Sequence, residues 1–346
     1  MKKTLLVLAG LAVFATSCTK DPIITEPTEK PGNGGGEKPD EGGNITPNPG
    51  DYIIPAQYQQ YYSKLDFTKE GTLLKQQLAK LVKDTHIPQT YTPGMWEATE
   101  FTDEDPENKN NVLQIYSWPD KDAKNDITKK RSVPKEHKND KSTNLPLTSL
   151  WEREHVFAKA LATDKTKNQK ALITVFGKNS DGSDRIPTTS EEIAGHDAHH
   201  LRAINRSTNS SRSNNKFVDG SGNSKKVGKE YYFPGDEWKG DVARMMMYMH
   251  IRYENENGGG YTKATKVGMP RDAKAGVLSD EMIDLFLKWN AEDPVDEIER
   301  RRNEYHGNPN NPNYRYSQGN RNPFIDNPEL ANRIWGGPKA ENKWSK

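Results

Sequence analysis

The chain has 346 residues and a net charge of +1, with 32% apolar and 29% charged residues. A balance so close to neutral excludes a globally basic polyanion binder, so any attraction to nucleic acid must come from how charges are placed. Cys18 is the single cysteine, which excludes an intrachain disulfide and a cysteine-type zinc site.

The sequence opens Met1-Lys-Lys, continues through an apolar run from Thr4 to Ala15, and reaches Ala15-Thr-Ser-Cys18. A basic start, a short apolar run and small residues describe a secretory signal over residues 1–18, too short to span a bilayer comfortably. The last four residues resemble a bacterial lipobox, although Ala15 stands where that pattern more often has Leu. The resemblance implies cleavage before Cys18, a lipid on its sulfur, and an extracytoplasmic protein anchored to a bacterial membrane. Plain secretion with an incidental cysteine is the alternative.

Residues 19–51 read as a disordered tether, rich in Pro, Gly and acids with almost nothing to bury. That leaves residues 52–346 as one large folded domain. Leu74, Leu78 and Leu81, flanked by Leu73 and Val82, predict a helix through Thr68–Asp84 that Pro88 stops. Val112–Tyr116 is predicted as a short strand. Trp118–Leu147 reads as a surface loop whose Lys129-Lys-Arg131 either meets phosphates or is a solvated face.

Trp151-Glu-Arg-Glu-His-Val-Phe157 follows as a strand. Alternation sends Trp151, Arg153 and His155 to one side and Glu152, Glu154 and Val156 to the other. At a strand end, where regularity lapses, His155 and Glu154 can share one site. A neutral imidazole suits proton abstraction from water and a carboxylate suits a cation, the two needs of phosphodiester hydrolysis. A buried, hydrogen-bonded structural His is the alternative for such a pair taken alone.

Ala158–Thr163 is predicted as a short helix and Leu172–Phe176 as apolar core. Lys165, Lys167, Lys170 and Lys178 either help bind nucleic acid or only solubilise. Gly195-His-Asp-Ala-His-His200 has enough His and Asp for a zinc site. Yet Leu201-Arg-Ala-Ile reads as a return strand and Asn209–Asn214 as a helix start capped by Ser207, Thr208 or Asn209. An Asn there offers its amide oxygen to a hard cation, while helix-start N–H groups and Arg212 favour a phosphate.

Arg153-Glu-His-Val156, Asp197-x-His-x-Leu-Arg202 and Asn209-x-x-Arg-Ser-Asn214 together resemble the endonuclease I family, secreted nucleases with a ββα-metal (His-Me finger) core. Lys239-Gly-Asp-Val-Ala-Arg244 and Gln318–Asp326 extend the resemblance over most of residues 52–335. It implies an α+β fold, mainly helical around that core, and His155 as general base. Glu154 and Asn209 would hold one Mg²⁺, with Ca²⁺ or Mn²⁺ as substitutes. The expected activity is hydrolysis of DNA or RNA, largely without sequence preference, to 5′-phosphate ends, by a monomer.

In that reading Arg153, Arg212 and Arg244 contact phosphate, and His199, His200 and Arg321 support the site from behind. Many relatives have Asn where His200 stands, and the family's phosphate-binding arginine between the first two motifs has no counterpart beyond an unsupported Arg185. The rival function is a catalytically inactive, metal- or partner-binding surface lipoprotein on the same fold.

Beyond the core, a helix is predicted over Lys239–Arg252, with Val242, Met246 and Met249 as its apolar stripe and Asp241, Arg244, Tyr248 and Arg252 on another face. Arg244 there either touches phosphate or pairs with an acid such as Asp241. Ser279-Asp-Glu is expected to cap a helix over Met282–Trp289. Asp293–Asn303 begins a charged helix whose acids and arginines favour intrahelical pairs. His306 opens a loop, and Asn320, Arg321 and Asn322 either bind phosphate or brace the metal site from behind, the latter favoured because Pro323 and Phe324 suggest a buried turn.

Overall fold

A computed structural model describes residues 52–141, 143–163, 171–269 and 283–345. Cys18, the tether, Lys165, Lys167, Lys170 and the cap Ser279–Glu281 lie outside the described residues. Among those described, no helix is long and apolar enough to cross a membrane.

The N-terminal helices are α1 (Ala56–Tyr62), α2 (Gly71–Asp84) and α3 (Gly94–Thr102). In α2 the residues Leu74, Leu78 and Val82, each one turn apart, are buried, whereas Leu73 is 58% exposed. The helix begins at Gly71, three residues later than the expected Thr68. Asp66 holds Thr68 in a turn by accepting from its N–H and hydroxyl, and Gly71 then takes a positive φ of 55°.

Strand β1 (Asn111–Leu113) is shorter than the expected Val112–Tyr116, because Tyr116 adopts a positive φ of 64° and leaves the extended region. The stretch expected to be only loop contains α4 (Asp120–Ala123) and β2 (Ser132–Pro134), which pairs antiparallel with β1. Next come β3 (Trp151–His155), α5 (Ser190–His196), β4 (Leu201–Asn205) and α6 (Arg206–Arg212). Strands β5 (Lys216–Val218), β6 (Lys225–Val227), β7 (Tyr231–Phe233) and β8 (Gly268–Met269) form a mixed sheet in the order β6-β7-β5-β8.

Helix α7 (Lys239–Arg252) matches its predicted limits and runs through the core, packed on α2, on α8 (Asp284–Glu292) and on α10 (Pro323–Asp326). Val242, Met246 and Met249 are buried as expected. The face carrying Asp241, Arg244, Tyr248 and Arg252 is buried too, because each finds a partner. Arg202 of β4 pairs with Asp103 and Asp241, and Arg302 also reaches Asp103. Buried charges survive only when compensated in this way. The web ties β4 to α7 and to α9 (Glu297–Gly307).

The Asp296–Glu299 capping box starts α9. Arg300 makes the expected intrahelical pair with Glu297. Arg301 and Arg302 instead reach across the fold, the former donating to the carbonyls of Thr102 and Glu104. His306, expected in a loop, lies inside α9 and is fully buried. Helix α11 (Glu329–Trp335) closes the described fold, which is α+β.

Two other expectations are corrected. Ala158–Thr163 is a 3₁₀ turn, Lys159–Ala162. Leu172 and Val175 are buried, but Ile173 and Phe176 of the same apolar stretch are exposed, so it is core on one side only.

Candidate active site

β3 and β4 pair antiparallel in the register Trp151↔Asn205 through His155↔Leu201, and the chain passes from Asn205 directly into α6. Alternation holds along β3: Arg153 lies with Trp96 and Tyr91 on one face, while Glu152 and Glu154 turn toward α6. His155 is the last residue of the strand, and there it lines the same cleft as Glu154. The cleft, about 430 Å³, is lined also by Lys159, Asn209, Arg212 and Asn214. Glu154, His155 and Asn209, expected to share a site, line this one cleft.

His155 Nε2 is 2.9 Å from the carbonyl oxygen of Gly195, which can only accept. Nε2 thus carries the proton, leaving Nδ1 as the basic nitrogen. Burial, with His200 and Lys159 nearby, pushes this imidazole well below its ordinary pKa. It is neutral at pH 7, as a base must be.

Glu154 is buried, and burial pushes its carboxyl up to about 7 against the opposing pull of Arg212. Arg212 Nε approaches Glu154 Oε1 only to 3.4 Å, as does the Tyr116 hydroxyl. Arg212 Nε makes no hydrogen bond within the described residues. The carboxylate is therefore under-compensated at the edge of an open cleft, the condition a cation relieves.

Asn209 donates its amide nitrogen to Glu152 Oε1 at 2.7 Å. That contact leaves Oδ1 as the free end, and no donor reaches it among the described residues. One carboxylate and one amide oxygen suit a hard divalent cation that fills its other positions with water and phosphate oxygens. Glu152, seen in the sequence only as an alternating neighbour, gains a role that its spacing did not signal.

The three arginines expected on phosphate each make contacts within the protein. Arg153 is sandwiched between Tyr91 and Trp96, 3.6 and 4.0 Å from the ring centroids, and donates to the Tyr91 carbonyl. Arg212 lines the cleft but donates to the carbonyls of Val156 at 2.6 Å and Ser213 at 3.0 Å, fixing the end of β3. Arg244 is fully buried and bidentate to Glu299, with Nε at 2.7 Å and a terminal nitrogen at 2.6 Å, so its acid is not Asp241. Arg244, buried and saturated, has no donor left for substrate, whereas Arg153 Nε and Arg212 Nε make no hydrogen bond among the described residues. Arg185, for its part, pairs with Glu192.

The helix-start phosphate site is also spent. Asn205, not residues 207–209, caps α6, and its side chain accepts from the N–H groups of Ser207 and Thr208. Lys159, previously only part of a predicted helix, is a cation that does line the cleft.

The histidine run is scaffold. His196 accepts from Val175 N–H and faces the Gln89 carbonyl through Nδ1. His199 contacts the Asn320 carbonyl, and His200 the Ala194 carbonyl. His200 also lies edge to face on His155, with centroids 5.4 Å apart. Asp197 accepts from the Tyr248 and Tyr253 hydroxyls and from Gln318. Among the described residues no three His, Cys, Asp or Glu side chains could hold a metal together, which removes the zinc alternative. Arg321 braces the turn by a bidentate pair with Asp326.

A model of the endonuclease I family matches residues 70–329, across both strands, α6 and the Gln318–Asp326 turn. The chain belongs to the endonuclease I family. It is 35% identical over 291 residues to an extracellular ribonuclease of Bacillus amyloliquefaciens, covering 82% of this chain and 81% of that protein. An extracellular ribonuclease of Bacillus subtilis (strain 168) is 34% identical over 279 residues, with 77% and 75% covered. This endonuclease I family member is thus a nuclease, an enzyme that hydrolyses phosphodiester bonds of nucleic acid.

Proposed function

We propose that β3, β4 and α6 form a ββα-metal core that cuts RNA, DNA or both, largely without sequence preference, leaving 5′-phosphate ends. The observation that carries this reading is the meeting of Glu154, His155 and Asn209 in one open cleft. His155 Nδ1 takes a proton from the attacking water while Nε2–H holds the Gly195 carbonyl, so the ring cannot turn as it becomes charged. Glu154 and Asn209 hold Mg²⁺, with Ca²⁺ or Mn²⁺ as substitutes. When bound, the ion neutralises charge on the departing 3′ oxygen. Arg212 keeps the strand end and Glu154 in register, and Glu152 keeps Asn209 turned toward the cleft.

Lack of sequence preference is supported by the cleft's lining, which offers Lys159 and Arg212 as cations and, among the described residues, no base-reading helix. The names of the two Bacillus relatives favour RNA as a substrate and secretion as the route. The lipobox-like Cys18 adds anchorage to a membrane by lipid, with the enzyme acting as a monomer. The test is cleavage of matched DNA and RNA with Mg²⁺, then with EDTA, then by His155→Ala. Cleavage that survives EDTA or the substitution undamaged overturns the mechanism. Labelled fatty acid retained by the parent but not by Cys18→Ala tests the anchor.

A further inference from the structure

Phe176 is 63% exposed, the most exposed large apolar side chain among the described residues. It is not on a loose tip. Its neighbour Val175 is buried and donates its N–H to His196 Nε2 at 3.0 Å. The Phe176 ring meets Tyr91 edge to face with centroids 5.2 Å apart, and Tyr91 in turn stacks along His155 at 6.0 Å. A fixed aromatic face is therefore open to solvent one ring away from the proposed base.

On the other side, the cleft continues past Asn214 into a groove of about 300 Å³ lined by Lys216, Lys229 and Tyr231, with one acid, Glu230. Lys216 and Tyr231 are paired neighbours on β5 and β7, and both lysines are exposed with no acidic partner among the described residues. Aromatic faces next to cations are how proteins hold the bases and phosphates of a single strand. A paired base has both faces covered by its stack and cannot offer one to Phe176 unless it leaves the duplex.

We propose that the enzyme binds an unpaired strand across the cleft. Phe176 stacks a base on the His155 side of the scissile phosphate, and Lys216, Lys229 and Tyr231 hold the strand on the other side. This rests on the nuclease reading above. The substrate class is single-stranded nucleic acid, and stacking accepts any base, in keeping with cleavage that ignores sequence.

The test uses short fluorescein-labelled oligoadenylates, RNA and DNA, beside blunt duplexes of matched length. Phe176→Ala is expected to raise KM for the oligoadenylates roughly tenfold, as loss of one stacked base does, leaving the duplex KM and the Tm unchanged. Phe176→Trp restores the parent value. Lys216→Gln with Lys229→Gln is expected to flatten the salt dependence of binding by about one to two in log–log slope. An unchanged oligoadenylate KM in Phe176→Ala, while the parent still cleaves, overturns the platform; an unchanged salt slope overturns the groove. A parent that cuts neither substrate defeats the nuclease reading itself, a separate failure.

Discussion

The side chain of His155 and the carbonyl oxygen of Gly195 are 2.9 Å apart, although forty residues of chain separate them. The contact decides which nitrogen of the imidazole is free. A glycine is needed there for a separate reason, since a Cβ at position 195 would lie 2.0 Å from the Ile173 carbonyl oxygen, a backbone atom that cannot step aside. Gly195→Ala is expected to displace that carbonyl and lower kcat about tenfold or more, with substrate KM nearly unchanged. His155→Ala costs about 10²–10⁴-fold in kcat. Steady-state kinetics of both variants check the pair, and an unimpaired Gly195→Ala would sink the tautomer argument.

Under the proposed mechanism, Glu154 couples cation binding to pH. With a folded pKa raised to about 7 by burial, its protonated form is favoured by folding. That contribution is complete below its ordinary value of 4.5 and is lost as pH rises through 7. In the metal-free protein Glu154→Gln therefore raises the Tm at pH 8, while in the parent Mg²⁺ uptake near pH 7 releases protons. Calorimetry in buffers of different ionisation enthalpy measures the release.

Glu152 is expected to act on the cation only through Asn209, whose amide it holds at 2.7 Å. Glu152→Ala should raise the Mg²⁺ concentration for half-maximal activity about 10–100-fold, the usual cost of losing a ligand's support, and spare kcat at saturating Mg²⁺. Asn209→Ala should lower both. A metal titration of activity separates them.

Arg244 belongs to the scaffold. Arg244→Ala would leave Glu299 charged and buried without its partner, which costs about 3–5 kcal/mol of stability. Lys cannot reproduce the two-pronged contact and should rescue little. Urea unfolding measures the loss. A variant of normal stability that has lost substrate affinity would instead assign Arg244 to phosphate.

Buried histidines make the fold acid-sensitive. Burial holds His250 down to about 4 and His86 to about 3, and His306, with His199 beside it, lies well below its ordinary value. Below about 6.5 the unfolded chain takes up protons that the folded one refuses. Stability is thus full above that pH and drains as pH falls toward 4. A lower Tm at pH 5 than at pH 7, with a smaller difference in His306→Phe, is the expected result.

Much of this was legible before any coordinates. Leu74 and Leu78 repeat at helical spacing, so α2 could be read locally. The limits of α7 followed from one apolar stripe, and the Glu154-His155 and Asn209 motifs carried their chemistry in residue type alone. What the sequence hides shares one cause. Arg153, Arg212 and Arg244 are expected on phosphate because an arginine near a nuclease motif suggests an anion. Their actual partners are two aromatic rings, two carbonyls and Glu299, and sequence separation hides all of these. The cap of α6 was misplaced by a few residues because Ser, Thr and Asn crowd that stretch and each is a competent cap.

The order of its residues determined the polar, nearly neutral chain with a single cysteine, the main helices and strands, and which side chains are chemically fit to abstract a proton or hold a cation. Those properties depend on neighbours within a turn or two. Only the folded chain decided that Gly195 selects the tautomer of His155, that Glu152 holds the Asn209 amide, and that Arg244 spends its donors on Glu299. Each is a contact between distant segments, set by which buried charge or carbonyl was left to satisfy once the layers had closed.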